Sequence, residues 1–290
     1  MTETLDFATT RARFEADRRA DFAGSPGHLE LIRELCDLYE GRGLLDRGRD
    51  RPLWALCPRR GPCWEGRNDA RPRRQDRAGI AVPWLGRRYL ERRICVVGIN
   101  FHDWGGLDGH WLICPDHERS LARGGRGHDG LPFALGAAAY VRVVEEALDG
   151  TLRPGRPVPP PAEVADAWQS CAFLEAVKCA PDRPASEPFE EMWGECVGLL
   201  LREELRILAP RVVVLLGRSR LRDRVRPLLR VRWGQCPGGL ERDAFDLDGE
   251  TVELLSCNHP NYPAWRTSFS RLVSSLADTP LGELRTRAAG

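Results

Sequence analysis

Four short apolar runs separated by amphipathic segments constrain the fold of this chain more than any other feature. Each run has the length and composition of a strand that is buried on both faces. Helical patterns lie between them, near 135–148 and at 189–208. Strands that alternate with helices favour parallel pairing. We therefore expect an α/β fold, a three-layer α/β/α arrangement around a central, mainly parallel four-stranded sheet, with strands at 94–100, 172–177, 212–216 and 252–255.

The first 50 residues have a different character from the rest of the chain. Residues 5–22 and 28–41 both have helical patterns, and a turn at 24–27 that contains glycine and proline separates them. With 290 residues and 42% hydrophobic content, the chain can bury one substantial core. We therefore expect residues 1–50 to form a helical segment packed on a single domain formed by residues 51–290.

Composition bears on the compartment. The sequence contains no run of about 18 uncharged apolar residues, and its first residues carry charges where a signal peptide needs an apolar stretch. We therefore expect a cytoplasmic protein without a membrane partner, and no obligate protein partner is evident. Ten cysteines in a reducing compartment are poor candidates for disulfides, so some of them are candidate metal ligands.

Positive charge is concentrated in two stretches, although the net charge is only +1. Residues 57–93 contain eleven arginines against four acids, and residues 218–232 contain seven against one. Arginine binds phosphate through its charge and through forked hydrogen bonds. Both stretches are candidate phosphate contacts. A general preference for arginine over lysine explains them equally well, since the chain has a single lysine, Lys178.

Polar and aromatic side chains follow three of the four predicted strands, at 98–106, 178–181 and 256–266. Ligands of open α/β sheets bind at the carboxyl ends of the strands. A solvated loop rarely needs as many Asn, Asp, His, Trp and Tyr side chains as these neighbouring loops contain. These segments are therefore predicted to share one site.

The order and spacing of these motifs resemble the uracil-DNA glycosylase superfamily, closest to its iron-sulfur-containing branch, over about residues 54–275. Gly98-Ile-Asn100 matches the start of the superfamily's first motif, and His259-Pro-Asn261 is similar to its late His-Pro-Ser motif. Residues 177–181, Val-Lys-Cys-Ala-Pro, resemble the branch's Lys-Cys-x-Pro segment. Cys196 and the strand at 212–216 then follow in the expected order.

The resemblance implies a DNA glycosylase, which flips a base out of the duplex and hydrolyses its N-glycosidic bond to leave an abasic site. His259 matches the histidine that hydrogen-bonds O2 of the departing pyrimidine, and Asn100 stands where the family positions water. Because an amide is a weak base, Asp103 is the candidate for the missing carboxylate. Phe101 and His102 replace the end of the first motif and are expected in the base pocket. Helix caps and ordinary loop histidines remain alternatives for these residues.

Glu175 bears on the identity of the base. By spacing it stands where members that recognise uracil carry Asn, which satisfies both N3-H and O4. A glutamate suits the exocyclic amine of cytosine, and when protonated it also donates to N3. A carboxyl in such a pocket is expected to have a raised pKa. These points predict a cytosine-type base, such as hydroxymethylcytosine or glucosyl-hydroxymethylcytosine of phage DNA. Glu175 pointing away from the pocket, or paired with an arginine, is the alternative.

The remaining expectations concern DNA and a metal cluster. Asn261, Tyr262, Arg266 and Lys178 are expected DNA contacts. Tyr262 and Arg266 are candidates for holding the strand open, because relatives insert a wedge into the duplex from the loop after the His-Pro motif. By the same resemblance, four thiolates would hold a 4Fe-4S cluster, with zinc as the runner-up and ordinary buried cysteines as the third possibility. These thiolates belong to Cys57, Cys63, Cys179 and Cys196.

Several functions remain open on the sequence. A DNA glycosylase of this kind would serve antiviral defence or DNA repair, and a uracil-DNA glycosylase of base-excision repair is the runner-up. A catalytically weak DNA-binding relative and an enzyme of free nucleosides are further alternatives. An enzyme that acts on free nucleosides would not need arginine-rich stretches or a loop that inserts into the duplex.

Overall fold

A computed structural model describes most of the chain, and the folded elements below are drawn from it. The described residues are 22, 24–43, 63, 83–100, 109–125, 131–178, 187–217, 220–229, 232–235 and 241–281. Five predicted site residues lie outside them, namely Cys57, Phe101, His102, Asp103 and Cys179. The predicted helix at 5–22 also falls almost entirely outside the described residues.

The fold is α/β, as expected, and the described residues form one sheet of seven strands in the order β1-β3-β2-β4-β7-β6-β5. The four predicted strands are all present, as β2, β3, β4 and β7. The strand bounds are β1 Trp84–Leu85, β2 Ile94–Asn100, β3 Cys171–Val177, β4 Val212–Leu216, β5 Arg232–Gln235, β6 Glu241–Leu247 and β7 Glu250–Cys257.

The expected four-stranded, mainly parallel sheet is wrong in size and direction. The β2–β4 and β4–β7 pairs are parallel, whereas β1–β3, β5–β6 and β6–β7 are antiparallel. The sheet is larger because a hairpin adds β6 to β7. Its turn contains Asp248 at φ 55° and Gly249 at φ 88°, and Asp-Gly is a favoured pair for tight hairpin turns.

Helices fill most of the intervals between strands. The predicted helix at 28–41 is confirmed, and the pattern near 135–148 is part of a longer helix. The predicted helix at 189–208 forms with a π-helical turn, Val197–Leu201, in its middle. The helix bounds are α1 Pro26–Gly41, α2 Tyr89–Arg92, α3 Gly109–Ala122, α4 Leu131–Leu148, α5 Pro161–Val164, α6 Glu190–Cys196, α7 Arg202–Leu208, α8 Arg220–Leu229 and α9 Trp265–Asp278, with a 3-10 helix at Ala165–Ser170.

The chain divides into two compact units that alternate along the sequence. The first contains the described residues within 1–83, 100–112 and 174–208, and the second those within 84–99, 113–173 and 209–290. In the first unit, α1 packs on α7 through its buried face. The division into segments 1–50 and 51–290 stays a prediction.

The core of the second unit is formed by β4, whose five residues are all buried, and by helices α4 and α9. Tyr140 of α4 stacks on Phe269 of α9 at a ring separation of 6.5 Å. Arg242 of β6 and Glu253 of β7 form a buried ion pair with an N–O distance of 2.7 Å. Within the described part of the chain, no helix has the length and apolar character needed to cross a membrane.

Candidate functional site

Three parallel strands of the second unit end at the same edge of the sheet. The register pairs Cys95 with Val213 and Leu216 with Cys257, so β2, β4 and β7 run side by side in one direction. The Gly217 N–H donates to the Cys257 carbonyl at 2.8 Å, directly after both strands end. The segment that carries His259 therefore leaves the sheet at the edge where α/β proteins bind ligands.

Hydrogen bonds fix the loop 258–266 at both ends. The Asn258 N–H donates to Ser268 Oγ at 3.0 Å, and its side-chain amide donates to the Ala264 carbonyl at 3.2 Å. The Tyr140 hydroxyl lies 3.0 Å from the Asn258 carbonyl oxygen and 3.1 Å from that of Trp265. Burial raises the pKa of Tyr140, so its hydroxyl keeps the proton that it donates. The loop is thus held by α4 and α9.

Gly136 of α4 allows this loop to approach the helix closely. A Cβ atom built on Gly136 would lie 2.5 Å from Pro260 Cβ and 3.0 Å from Pro260 Cγ. Both distances are far below van der Waals contact. A side chain at position 136 would therefore have to push away the residue that follows His259.

His259 is half-buried, and a backbone N–H beside its ring determines which ring nitrogen carries the proton. The Asn261 N–H donates to His259 Nδ1 at 3.3 Å. A ring nitrogen that accepts a hydrogen bond carries no proton, so the neutral imidazole has its proton on Nε2. The neutral His259 ring therefore carries its N–H at Nε2.

An aromatic cluster supports the His259 ring, and the sequence interpretation missed it. The half-buried Phe133 ring lies 5.4 Å from His259 and 5.8 Å from Phe173. Behind these rings, buried His117 lies 5.9 Å from Phe133 and 5.4 Å from Trp168. Phe133 is a stacking surface beside His259. Its position in an apolar helix gave no sign of this contact, which joins residues 126 positions apart.

Three of the predicted DNA contacts are exposed on the same loop and the helix that follows it. Tyr262 is 60% exposed and lies edge-on to His259 at 5.9 Å. Asn261 is exposed, and the exposed Arg266 places its guanidinium 5.1 Å from the centre of the Trp265 ring. The structure thus brings Asn261, Tyr262 and Arg266 together with His259 in the second unit. Asn100 is the last residue of β2.

Lys178 lies in the first unit and is only 4% exposed. Its ammonium is 2.7 Å from Glu204 Oε1, is 2.8 Å from Oε2, and donates to the Glu175 carbonyl at 2.6 Å. Its described partners are therefore inside the protein, and the contact between Lys178 and DNA stays a prediction.

Glu175 has the raised pKa that the sequence interpretation expected. Burial raises the pKa of its carboxyl to about 8, the Lys178 ammonium opposes this rise, and the Glu204 carboxylate adds to it. Lys178 and Glu204 are thus two charged groups that act on Glu175.

Two of the four predicted cluster ligands are described. Cys63 is buried, and Cys196 is a partly exposed residue at the end of α6. The described residues contain no group of three or more His, Cys, Asp or Glu side chains suited to a metal ion. Because Cys57 and Cys179 lie outside those residues, the cluster stays a prediction.

Several arginines of the two basic stretches have acidic partners within the second unit. Arg88 and Arg92 approach the buried Glu145 carboxylate at 3.3 and 3.8 Å. Arg226 of α8 binds Asp243 at 3.2 Å. Some arginines of these stretches therefore form ion pairs within the protein. Phosphate contact by the remaining arginines stays a prediction.

Comparison with known proteins gives no further guidance, since no family model and no curated protein matches the chain.

Proposed function

We propose that the protein is a DNA glycosylase that hydrolyses the N-glycosidic bond of a flipped-out modified cytosine and leaves an abasic site. The observation that carries the proposal is the environment of His259. Its Nδ1 accepts from the Asn261 N–H, its ring lies against the half-buried Phe133, and it stands after a strand end on a loop fixed by hydrogen bonds.

The role proposed for His259 follows from charge development in the reaction. As the C1′–N1 bond breaks, its electron pair moves onto the base, and negative charge builds up at O2. The hydrogen bond from His259 Nε2 strengthens at the same time, so it stabilises the transition state more than the bound substrate. Losing one such donor costs about 100- to 1000-fold in rate. Phe133 offers a face on which the base stacks before bond cleavage.

The attacking water completes the reaction at the sugar. Its oxygen bonds to C1′, which has gained oxocarbenium character, and its proton must pass to a base. We assign the positioning of this water to Asn100 and acceptance of the proton to Asp103. Phe101 and His102 complete the pocket in this proposal. The departing pyrimidine anion then takes a proton from solvent.

Glu175 is proposed to select the base. With a pKa of about 8, its carboxyl is mostly protonated at neutral pH. A neutral carboxylic acid both donates and accepts, so it matches N3 and the exocyclic amine of a cytosine. Hydroxymethylcytosine and its glucosylated form share this edge. Antiviral defence against phage with such bases is the proposed biological role, with DNA repair as the alternative.

The exposed loop residues are proposed to bind the opened duplex. Flipping a base costs a few kcal/mol of stacking and pairing. Tyr262 is a large exposed side chain that can fill the space the base leaves, with Asn261 and Arg266 beside it. In this proposal an architectural 4Fe-4S cluster, or zinc, is held by Cys57, Cys63, Cys179 and Cys196. The helices and strands are proposed to form the three-layer α/β/α arrangement that the resemblance implies.

Base release identifies the substrate. DNAs that carry uracil, cytosine, hydroxymethylcytosine or glucosyl-hydroxymethylcytosine are incubated with the protein, and the free base is measured by mass spectrometry. The proposal predicts release of a modified cytosine. Release of uracil alone would replace it with uracil-DNA glycosylase activity. Tight DNA binding without release of any base would favour a catalytically weak binding protein.

Substitution of Glu175 tests the selection of the base. Glu175→Asn is expected to shift release towards uracil, because the amide satisfies N3-H and O4 together. Glu175→Gln is the matched control, since it offers the same amide on a longer side chain. An unchanged base preference in both variants would remove Glu175 from the proposal.

A further inference from the structure

Tyr140 of α4 contacts both ends of the loop 258–266 in the second unit. Its hydroxyl lies 3.0 Å from the Asn258 carbonyl oxygen and 3.1 Å from the Trp265 carbonyl oxygen. The Tyr140 side chain is fully buried, with its ring edge-on to Trp265 at 6.3 Å and stacked on Phe269. The hydroxyl therefore joins the point where the loop leaves β7 to the point where it enters α9.

The contact with Asn258 bears directly on the backbone of His259. A peptide unit is planar, so the Asn258 carbonyl and the N and Cα atoms of His259 lie in one plane. The preceding peptide plane is restrained as well, because the Asn258 N–H donates to Ser268 Oγ of α9 at 3.0 Å. Both rotations about the Asn258 Cα atom are thus restrained, one from α4 and one from α9. The direction in which the chain enters His259 is therefore defined.

Hydrogen bonds within the loop connect its two ends. The Tyr262 N–H donates to the His259 carbonyl at 3.0 Å, and the Trp265 N–H donates to the Tyr262 carbonyl at 3.0 Å. The Asn258 side-chain amide donates to the Ala264 carbonyl at 3.2 Å, across the whole loop. A segment closed by such bonds moves largely as one body. A contact at its two ends therefore also determines where His259 lies.

We propose that Tyr140 is a positioning residue for base release: its hydroxyl holds both ends of the loop and thereby keeps His259 where its ring reaches the departing base. The inference rests on the proposed function in one respect, namely that His259 contacts the base. Tyr140 is buried, so it acts through the loop and not on the DNA. A hydrogen bond stabilises a transition state only from the correct position, and a displacement of about 1 Å can cost about 100-fold in rate.

Three variants test the hydroxyl. Tyr140→Phe removes it and keeps the ring that packs on α9. Tyr89→Phe is the matched control, because it removes the hydroxyl of another fully buried tyrosine, which lies 3.4 Å from Cys95 Sγ near the start of β2, at the opposite end of the strands from the loop. Ser268→Ala removes the acceptor of the Asn258 N–H and tests the same loop from α9, should Tyr140→Phe fail to fold.

The hold on the loop can be measured without DNA, by amide hydrogen exchange followed by NMR. The loop amides are the N–H groups that donate within the loop, those of Asn261, Tyr262 and Trp265. Val214 in the buried strand β4 is the reference for global unfolding. In Tyr140→Phe and in Ser268→Ala, the loop amides are expected to exchange about tenfold faster relative to Val214, because a part-buried backbone group loses its partner. Tyr89→Phe is expected to keep the wild-type ratio.

A wild-type exchange ratio in Tyr140→Phe would overturn the inference, and so would an equal acceleration in Tyr89→Phe. In single-turnover base release, Tyr140→Phe is expected to be about 10- to 100-fold slower than Tyr89→Phe. Its affinity for DNA is expected to change much less, because exposed side chains such as Arg266 can rotate to keep their contacts. Equal rates in the two variants would overturn the positioning role. Failure of the wild type to release any base would overturn the proposed function, while the exchange ratios still decide whether Tyr140 holds the loop.

Discussion

Gly136→Ala is the substitution whose effect on the site can be worked out most directly from the structure. The new Cβ atom would lie 2.5 Å from Pro260 Cβ, whereas carbon atoms in contact are about 3.5–4.0 Å apart. The loop and helix α4 must therefore separate by about 1 Å. Overpacking of this kind costs about 1–3 kcal/mol, while Ala in place of Gly within a helix gains about 1 kcal/mol.

Gly194→Ala is the matched control. Gly194 lies within α6, and a Cβ atom built there meets nothing within 4 Å. This variant is expected to gain up to about 1 kcal/mol, so the difference in unfolding free energy between the two variants isolates the overpacking of about 1–3 kcal/mol. Denaturant unfolding measures it. Equal stability of the two variants would refute the reasoning.

The same substitution tests the link between this contact and catalysis. A displacement of about 1 Å at a catalytic group can cost about 100-fold in rate. Gly136→Ala is therefore expected to lose about that factor in single-turnover base release, while Gly194→Ala keeps the wild-type rate. A wild-type rate in a destabilised Gly136→Ala protein would show that Pro260 does not position His259.

Three further predictions concern buried charges. Arg242→Met leaves Glu253 buried without its cation and removes the hydrogen bonds to the Ser275 and Thr279 carbonyls. Denaturant unfolding should therefore show a loss of about 3–5 kcal/mol in unfolding free energy, and Arg242→Met/Glu253→Leu should recover most of it. Equal loss in both variants would contradict this. Because the pKa of Glu175 is about 8 in the folded protein and 4.5 ordinarily, the folded state binds the extra proton between these values, so stability should fall by on the order of 5 kcal/mol as pH rises through that window. Glu175→Gln should remove this contribution, and an identical pH dependence in the variant would count against it. Reductive methylation should leave Lys178 unmodified in the folded protein and modify it after denaturation, as mass spectrometry of its peptide would show; rapid modification of the folded protein would contradict its burial.

The sequence was a good guide to the four inner strands and a poor one to the rest of the sheet. Continuous apolar runs such as 212–216 have few alternatives to a buried strand. Strand β6 was missed because its sequence, Glu-Arg-Asp-Ala-Phe-Asp-Leu, is mostly charged. Two of these charges, Arg242 and Asp243, are buried against ion-pair partners distant in sequence. The pair Asp248-Gly249 was the available signal for this hairpin.

The sequence likewise predicted some residues of the candidate site and missed the contacts that hold them. Local motifs indicated His259 and the exposed loop after it, and the raised pKa of Glu175 was expected for a carboxyl in a base pocket. The contact between His259 and Phe133, and the Tyr140 hydroxyl that holds the loop, join α4 to residues more than 100 positions away. Lys178 was predicted to contact DNA, and its burial against Glu204 was not foreseen. Its partner Glu204 lies in a helix 26 residues later, which no local pattern indicates.

The central claim is that His259 stabilises a departing pyrimidine, and one comparison tests it most directly. Release of free base from DNA containing glucosyl-hydroxymethylcytosine or hydroxymethylcytosine is measured under single-turnover conditions for the wild type and for His259→Ala, alongside the affinity of each for the same DNA. The account predicts release by the wild type, and a rate about 100- to 1000-fold lower in the variant at nearly unchanged affinity. Equal rates in the two proteins would contradict it.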